Sequence, residues 1–385
     1  MYSHRRHQLI GGRSTLGGLP RRRLLQGAGA LGLAATLRPT AVFAECDDEG
    51  ERLGPFGPWS SPVNLGPVVN SSFHERRCAI SKDGLSLYIT SDRPGGVNGP
   101  NPPPPLLHRL EIWVSQRASI DGPWQAPVNL DAFNTTPVIN AVGSGTANPN
   151  LSADGHLLFF QSGRPGGYGG TDLYVSRRTN KRDDFGWQQP VNLGGLINTS
   201  YDEYSPSYFE DEETGIIVLY LASDRPGGPV GSLPGSTHIY VSTLGDDGTF
   251  GPAVLVPELS SQYNESGTAI RRDGLEIFVS SSRPGTGIPN SIWVSTRDST
   301  LDAWSTPVDL GSTVNSPGHG NVHPTLSWDG RALYFCSNRP GGFNAPNDFE
   351  PGITGDIYVT TRRRLRNDEG DEEERPSPTL ARGQC

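Results

Sequence analysis

The sequence predicts an all-β fold, a five-bladed β-propeller with four antiparallel strands per blade. Three observations predict it. One unit, clearest at residues 151–198, recurs five times. Every copy divides into four short strand-like segments separated by turn residues, the pattern of a radially repeated sheet. The first recognisable segment is of the fourth type and the last is of the third type, so the two chain ends complete a single blade.

Within the unit, LSADG ends a first strand in a turn, LLFFQS is an apolar run, DLYVS alternates, and WQQPVNLG supplies the fourth strand. The turn after the first strand reads KDG at 82–84, ADG at 153–155, RDG at 272–274 and WDG at 328–330. Only the third copy departs, with EDEETG at 210–215. The second strand runs into an Arg-Pro-Gly landmark in all copies, at Arg93, Arg164, Arg225, Arg283 and Arg339. Third strands read EIWVS, DLYVS, HIYVS, SIWVS and DIYVT, and fourth strands begin near Trp59, Trp124, Trp187, Phe250 and Trp304. Residues 59–65 are therefore expected to form the outer strand of blade 5, which removes two free sheet edges.

Outside the repeats, residues 1–44 have a basic start, a Gly/Ala-rich apolar run too short to span a membrane, and Val42 and Ala44 at small-residue positions. Arg21 and Arg22 fit the twin-arginine form of an export signal, which implies a periplasmic or extracellular protein. The bland reading of this stretch is a disordered basic N-terminus. Cys46, preceded by Glu45, makes a poor lipoprotein site. Residues 45–58 read as a linker, 59–362 as the propeller, and 363–385 as a disordered charged tail.

Composition agrees with an all-β chain, since 49 Gly, 34 Pro and a single Met in 385 residues leave little room for helical core. A net charge of −9 argues against a nucleic-acid partner. No transmembrane segment is expected after signal removal, and a monomer is expected. The four cysteines could pair in an oxidising compartment. Ring neighbours would join Cys78 to Cys336, and the closing ends would join Cys46 to Cys385. Buried free thiols are the alternative for the first two.

In an up-and-down blade the Arg-Pro-Gly loops and the loops leading into the first strands open on one face, which also carries the insertions at 97–110, 132–146, 229–238 and 343–355. The lead-in loops concentrate polar residues: Glu75, Glu203 and Glu265, preceded by His74, Asp202 and Asn264, with His319 and His323 in the fifth copy. These are the candidate ligand-binding residues, expected to crowd the channel mouth. The five landmark arginines read as scaffold, because a site needs only some copies. Arg pairing is the favoured fate of the glutamates. A calcium-like cation held by them is the less favoured one, and no cofactor is expected. His319-x3-His323 has a metal spacing, but that spacing shares a face only on a helix.

The runs SADGHLLFFQSGRPGGYGGTDLYVSRR and HPTLSWDGRALYFCSNRPGG with GDIYVTTR resemble the Pro-Asp propeller repeats of TolB-type periplasmic proteins. The motif's Pro stands at Pro149, Pro206 and Pro324 but is replaced by Cys78 and Thr268, and blade 3 lacks the Asp-Gly turn. The resemblance covers nearly all of 59–362. It implies the fold, and much less about function, because these propellers serve as binding platforms and also appear in enzymes.

Three functions stay open. The leading one is a non-catalytic, exported module that holds a protein or glycan on the insertion face. The alternative is a carbohydrate-active enzyme, since five-bladed propellers include glycosidases, and Glu75, Asp202, Glu203 and Glu265 would supply its carboxylates. Those acids occupy repeat-equivalent positions, whereas a glycosidase needs differentiated ones. The Asp-Gly turns are one residue short of a sialidase-type box. A metal-dependent hydrolase using His74, His319 or His323 has the least support. No phosphate loop, nucleophile elbow, CxxC pair or dinucleotide fingerprint is present.

Overall fold

The computed structural model describes residues 55–99, 110–286, 290–343 and 355–365. Five four-stranded antiparallel sheets form the blades of a propeller. Blade 1 is β2 (Glu75–Ile80), β3 (Ser86–Ser91), β4 (Glu111–Gln116) and β5 (Val128–Asn129). Blade 2 is β6 (Thr146–Leu151), β7 (Leu157–Ser162), β8 (Asp172–Arg177) and β9 (Val191–Asn192). Blade 3 is β10 (Glu203–Glu210), β11 (Ile217–Ser223), β12 (His238–Thr243) and β13 (Val254–Leu255). Blade 4 is β14 (Glu265–Ile270), β15 (Glu276–Ser281), β16 (Ser291–Thr296) and β17 (Val308–Asp309). Blade 5 is β18 (Asn321–Leu326), β19 (Ala332–Ser337) and β20 (Asp356–Thr361), completed by β1 (Val63–Asn64) from the other end of the chain.

The closure uses the same bonds as the continuous blades. In blades 1 to 4 a third-strand serine donates to the carbonyl that leads into strand four, as Ser115 does to Gln125 at 2.5 Å and Ser176 to Gln188 at 2.5 Å. In blade 5 Thr360 donates to the Ser60 carbonyl at 2.5 Å. Pairing continues past the expected boundaries of linker and tail. Phe56 bridges Arg364, and the amides of Gly57 and Leu365 donate to the carbonyls of Arg363 and Pro55. Residues 1–44, which carry the expected export signal, lie outside the described residues, as do the rest of the tail, Cys46 and Cys385. No helix among the described residues is long and apolar enough to cross a membrane.

A blade packs against a neighbour on both faces, so its middle strands bury both faces and read as continuous apolar runs rather than alternations. Five hydrophobic clusters result, one at each interface between blades. Tyr88 and Ile112 of blade 1 meet Phe160 and Trp187 of blade 2, and Phe278 of blade 4 meets Phe335 and Tyr358 of blade 5. Cys78 and Cys336 share the cluster between blades 1 and 5, but both are free thiols rather than a disulfide. The Cys336 thiol donates to the Glu75 carbonyl at 3.1 Å, and burial pushes the Cys78 thiol up to about 12, so neither carries reactive thiolate.

A second recurrent arginine, not singled out in the sequence, follows the third strand at Arg117, Arg178, Arg297 and Arg362. Each guanidinium lies 4.2–4.5 Å from the ring centre of Trp124, Trp187, Trp304 or Trp59. Each Nε also donates to the carbonyl of the Asp-Gly turn glycine, at 2.7–2.9 Å. That glycine sits at φ between 69° and 73°, which L side chains rarely adopt, and its carbonyl is what the arginine reaches. Blade 3 has lost the Asp-Gly turn and, with it, the arginine, which is Leu244. The two features are parts of one interaction.

Arg178 also forms a fully buried pair with Asp184 at 2.7 Å, and Asp184 further accepts from Tyr88 and Ser86 of blade 1. Arg178→Ala should lower the unfolding free energy by about 3–5 kcal/mol, the usual cost of stranding one member of a buried pair. Urea denaturation checks this; a loss below about 1 kcal/mol would mean the pair behaves as a surface contact.

Candidate functional site

The propeller axis has two ends. On the insertion face, each inner strand enters the ring through a backbone bond to the preceding blade. The amides of Glu75, Thr146, Glu203, Glu265 and Asn321 donate to Gly355, Leu110, Thr171, Thr237 and Asn290. The three glutamates are fully buried, with 0% exposure, and do not line an open mouth. Each accepts a landmark arginine: Arg93 at 2.8 Å on Glu75, Arg225 at 3.0 Å on Glu203, and Arg283 at 3.1 Å on Glu265. Each also accepts the amide four residues back in its own loop, from Ser71, Thr199 or Ser261, at 2.8–3.0 Å.

The arginines repeat without exception. All five place the guanidinium over the third-strand aromatic, with centroid distances of 4.7–5.7 Å to Trp113, Tyr174, Tyr240, Trp293 and Tyr358. All five donate through Nε to the serine two residues earlier, at 3.0–3.2 Å. Their Nη2 atoms reach the lead-in loop carbonyls of Val69, Ile139, Ile197, Leu259 and Val314. In blade 5 Asn321 replaces glutamate and accepts Arg339 at 2.7 Å. The arginines and glutamates are thus tied to one another and to their own loops, and the three glutamates do not stand open at a channel mouth.

Their neighbours are held similarly. The His74 amide donates to Asp92 at 2.8 Å and its ring faces the same carboxylate at 3.2 Å. Asp202 accepts the Thr171 amide at 2.6 Å and the Tyr204 hydroxyl at 2.8 Å, while its own amide donates to Asp224. Asn264, which is exposed, accepts the Thr237 amide at 3.0 Å. His319 is half-buried in a turn, its amide bonded to Ser316. Among the described residues, no group of three or more His, Cys, Asp or Glu is arranged to hold a metal ion.

His323 belongs elsewhere. Every inner strand has a register shift just after its first residues, a β-bulge that turns one residue toward the axis. The residues at that position are Arg77, Asn148, Ser205, Gly267 and His323, with positive φ at Asn148, Ser205 and His323. Their contacts cross the ring. Arg77 of blade 1 donates to the carbonyls of Ser205 in blade 3 at 3.3 Å and Thr268 in blade 4 at 2.8 Å. Asn148 donates to Ser205 at 2.9 Å. A Cβ on Gly267 would stand 2.9 Å from Arg77 Nη1 and 3.3 Å from His323, so glycine is what lets the arginine lie across the axis. Burial, reinforced by Arg76 and Arg77, holds His323 well below the usual histidine range, which keeps it neutral.

Below this plug the axis opens as a cavity of about 100 Å³ lined by residues of all five blades. Its walls are the C-terminal halves of the inner strands and the Asp-Gly turns, so it opens on the face opposite the insertions. Arg77 and Thr268 form its floor, Asn150, Ser207 and Tyr208 lie on its walls, and Lys82, Glu210, Arg272 and Trp328 stand at its rim. Lys82 Nζ lies 4.2 Å and Arg272 Cζ 6.0 Å from the Trp328 ring centre. Tyr208 donates to Glu210 at 3.0 Å. Three of the four rim residues come from the turns, where the residue before Asp-Gly is Lys82, Arg272 or Trp328. The variability of that one position, visible in KDG, RDG and WDG, is the signal that could have pointed to this mouth.

No protein-family model matches the chain, and no curated protein matches it at a significant level. Solved structures do. A thermostable family-43 glycoside hydrolase matches at 13% identity with a TM-score of 0.51, over 83% of this chain and 100% of its own. An α-L-arabinofuranosidase from Lactobacillus brevis matches at 15% identity and a TM-score of 0.51, over 83% of this chain and 98% of its own. At such identity the likeness is one of fold, a five-bladed propeller shared with glycoside hydrolases.

Burial raises the Glu75 and Glu203 carboxyls above their usual range despite Arg93 and Arg225. A raised acid pKa means that folding takes up protons. The folded state thus gains stability relative to a variant without the groups as pH falls from neutrality toward the ordinary glutamate pKa. The urea midpoint of the wild type should rise relative to Glu75→Gln/Glu203→Gln over that window; a relative fall would mean that the arginines outweigh burial.

Proposed function

We propose that this protein is an exported, carbohydrate-directed propeller that binds its ligand at the axial mouth on the turn face and does not hydrolyse it. The observation that carries this reading is the commitment of Glu75, Glu203 and Glu265, each fully buried and each held by an arginine. Glycoside hydrolysis needs two carboxyl groups about 5 to 10 Å apart, free to meet the sugar from opposite sides. The repeated acids here are tied to their own loops. The shared fold with glycoside hydrolases supports carbohydrate over protein as the ligand class. The export pattern of residues 1–44 and the resemblance to Pro-Asp repeats of TolB-type proteins support a cell-envelope or secreted location.

A second reading, hydrolysis on the insertion face, is favoured by one local feature. Asp202, Asp224 and Tyr204 cluster at blade 3, and burial, with the Asp202 and Asp224 carboxylates adding to it, drives the Tyr204 hydroxyl far above its usual range.

The two readings separate on one assay. The purified mature protein should leave 4-nitrophenyl α-L-arabinofuranoside and 4-nitrophenyl β-D-xyloside uncleaved, while arabinan or xylan oligosaccharides bind in calorimetry. Turnover that disappears in Asp202→Asn or Asp224→Asn would replace the binding reading with the hydrolytic one.

A further inference from the structure

We propose that the turn-face axial cavity recognises a small anionic group, a carboxylate or phosphate, with Arg77 as its charged floor and Lys82 and Arg272 as a cationic rim. The inference rests on the reading above in placing binding at this mouth, and it adds the chemistry of what binds.

Arg77 is the first argument. Its side chain is 1% exposed, yet its only hydrogen bonds among the described residues go to two backbone carbonyls, and no carboxylate pairs with it. A guanidinium removed from water without a counter-charge costs several kcal/mol, and two other buried arginines of this protein are given acids: Arg178 has Asp184, and Arg362 has Glu276 at 2.8 Å. Burial lowers the Arg77 pKa to about 10, which leaves it charged at neutral pH. The missing counter-charge is the feature to be explained.

Unsatisfied polar atoms are the second argument. Arg77 Nε and Thr268 Oγ1 are buried without hydrogen-bond partners, and both residues line the cavity floor. Thr268 is 1% exposed. A guanidinium N–H with nothing to donate to, beside a hydroxyl able to donate as well, describes an anion cradle.

Size and rim charge complete the case. A cavity of about 100 Å³ is smaller than the ~300–1,000 Å³ of pockets that enclose a whole organic ligand, but it has room for several waters and so admits a single carboxylate or phosphate. The rim adds two cations against one carboxylate, Glu210, which already accepts the Tyr208 hydroxyl. Both rim cations lie near the Trp328 ring, Lys82 at 4.2 Å and Arg272 at 6.0 Å from its centre, which gathers their positive charge on one side of the mouth.

Calorimetric titration of the mature protein at low salt tests this, with D-glucuronate, D-glucose, acetate and inorganic phosphate as probes. Glucuronate should bind and glucose should not. Arg77→Gln should weaken glucuronate by at least about tenfold. Because that variant could lose stability, Lys82→Gln/Arg272→Gln serves alongside it: these rim side chains are not deeply buried, and their loss should weaken binding several-fold and flatten its salt dependence. Binding of phosphate or acetate without glucuronate upholds the anion site and counts against the carbohydrate reading on which its placement rests. Glucose bound as tightly as glucuronate, with no effect of either variant, overturns the anion site and leaves the carbohydrate reading standing. No binding of any probe overturns the anion site, and the oligosaccharide titration above then decides the carbohydrate reading separately.

Discussion

The structure depends on the landmark arginine that follows each second strand. One guanidinium meets four demands at once: it stacks on the third-strand aromatic, fills the hydroxyl of the serine behind it, caps a loop carbonyl, and in three blades neutralises a buried glutamate. A neutral hydrogen bond contributes about 0.5–1.5 kcal/mol and a cation–π contact about 0.5–2 kcal/mol. No single contact is large, but the set is repeated five times and sits where each blade hands the chain to the next. The glutamate in turn gathers the amide and hydroxyl of its own loop, which fixes the approach of the following inner strand. A propeller blade shares a face with each neighbour, so a loop fixed in one blade sets the position of the next.

Scaffold duty on the insertion face has a consequence for function. Residues used identically in most copies are not at liberty to differentiate, and the polar richness of the lead-in loops is spent on holding the ring. Differentiation occurs at two other positions. One is the bulge at the axis, where Arg77, Asn148, Ser205, Gly267 and His323 are all different. The other is the residue before Asp-Gly, where Lys82, Ala153, Arg272 and Trp328 are all different. The turn residues line the axial cavity, and the bulge residues form the plug above it, of which Arg77 reaches the cavity itself. Ring symmetry brings five unequal side chains to one point, a direct route by which a repeat protein can build an asymmetric site.

Much of this was legible in the sequence. The number of blades, the strand order and the closure by residues 59–65 followed from landmarks whose spacing the fold enforces, and the pairing of glutamates with landmark arginines followed from buried charges needing partners. The cavity's location was not legible. Loop length drew attention to the insertion face, whereas the opposite mouth is built from short turns and from the bulges. A bulge shifts register by one residue and cannot be located by strand alternation. His323 shows the difficulty. Its spacing from His319 resembled a ligand pair, but the bulge carries it into the axis beside Arg77. The arginine after the third strand was also missed, because its partner, the turn-glycine carbonyl, is a backbone atom that no residue pattern announces.

The central claim is that the lead-in loops are structural clamps rather than open binding loops. Amide hydrogen exchange of the loop amides of Ser71, Thr199 and Ser261, each donated to a buried glutamate, tests it most directly. The account predicts protection comparable to that of the inner strands, with Thr199 alone losing it in Arg225→Gln. Exchange of all three at the rate of exposed loops in the wild type would contradict it.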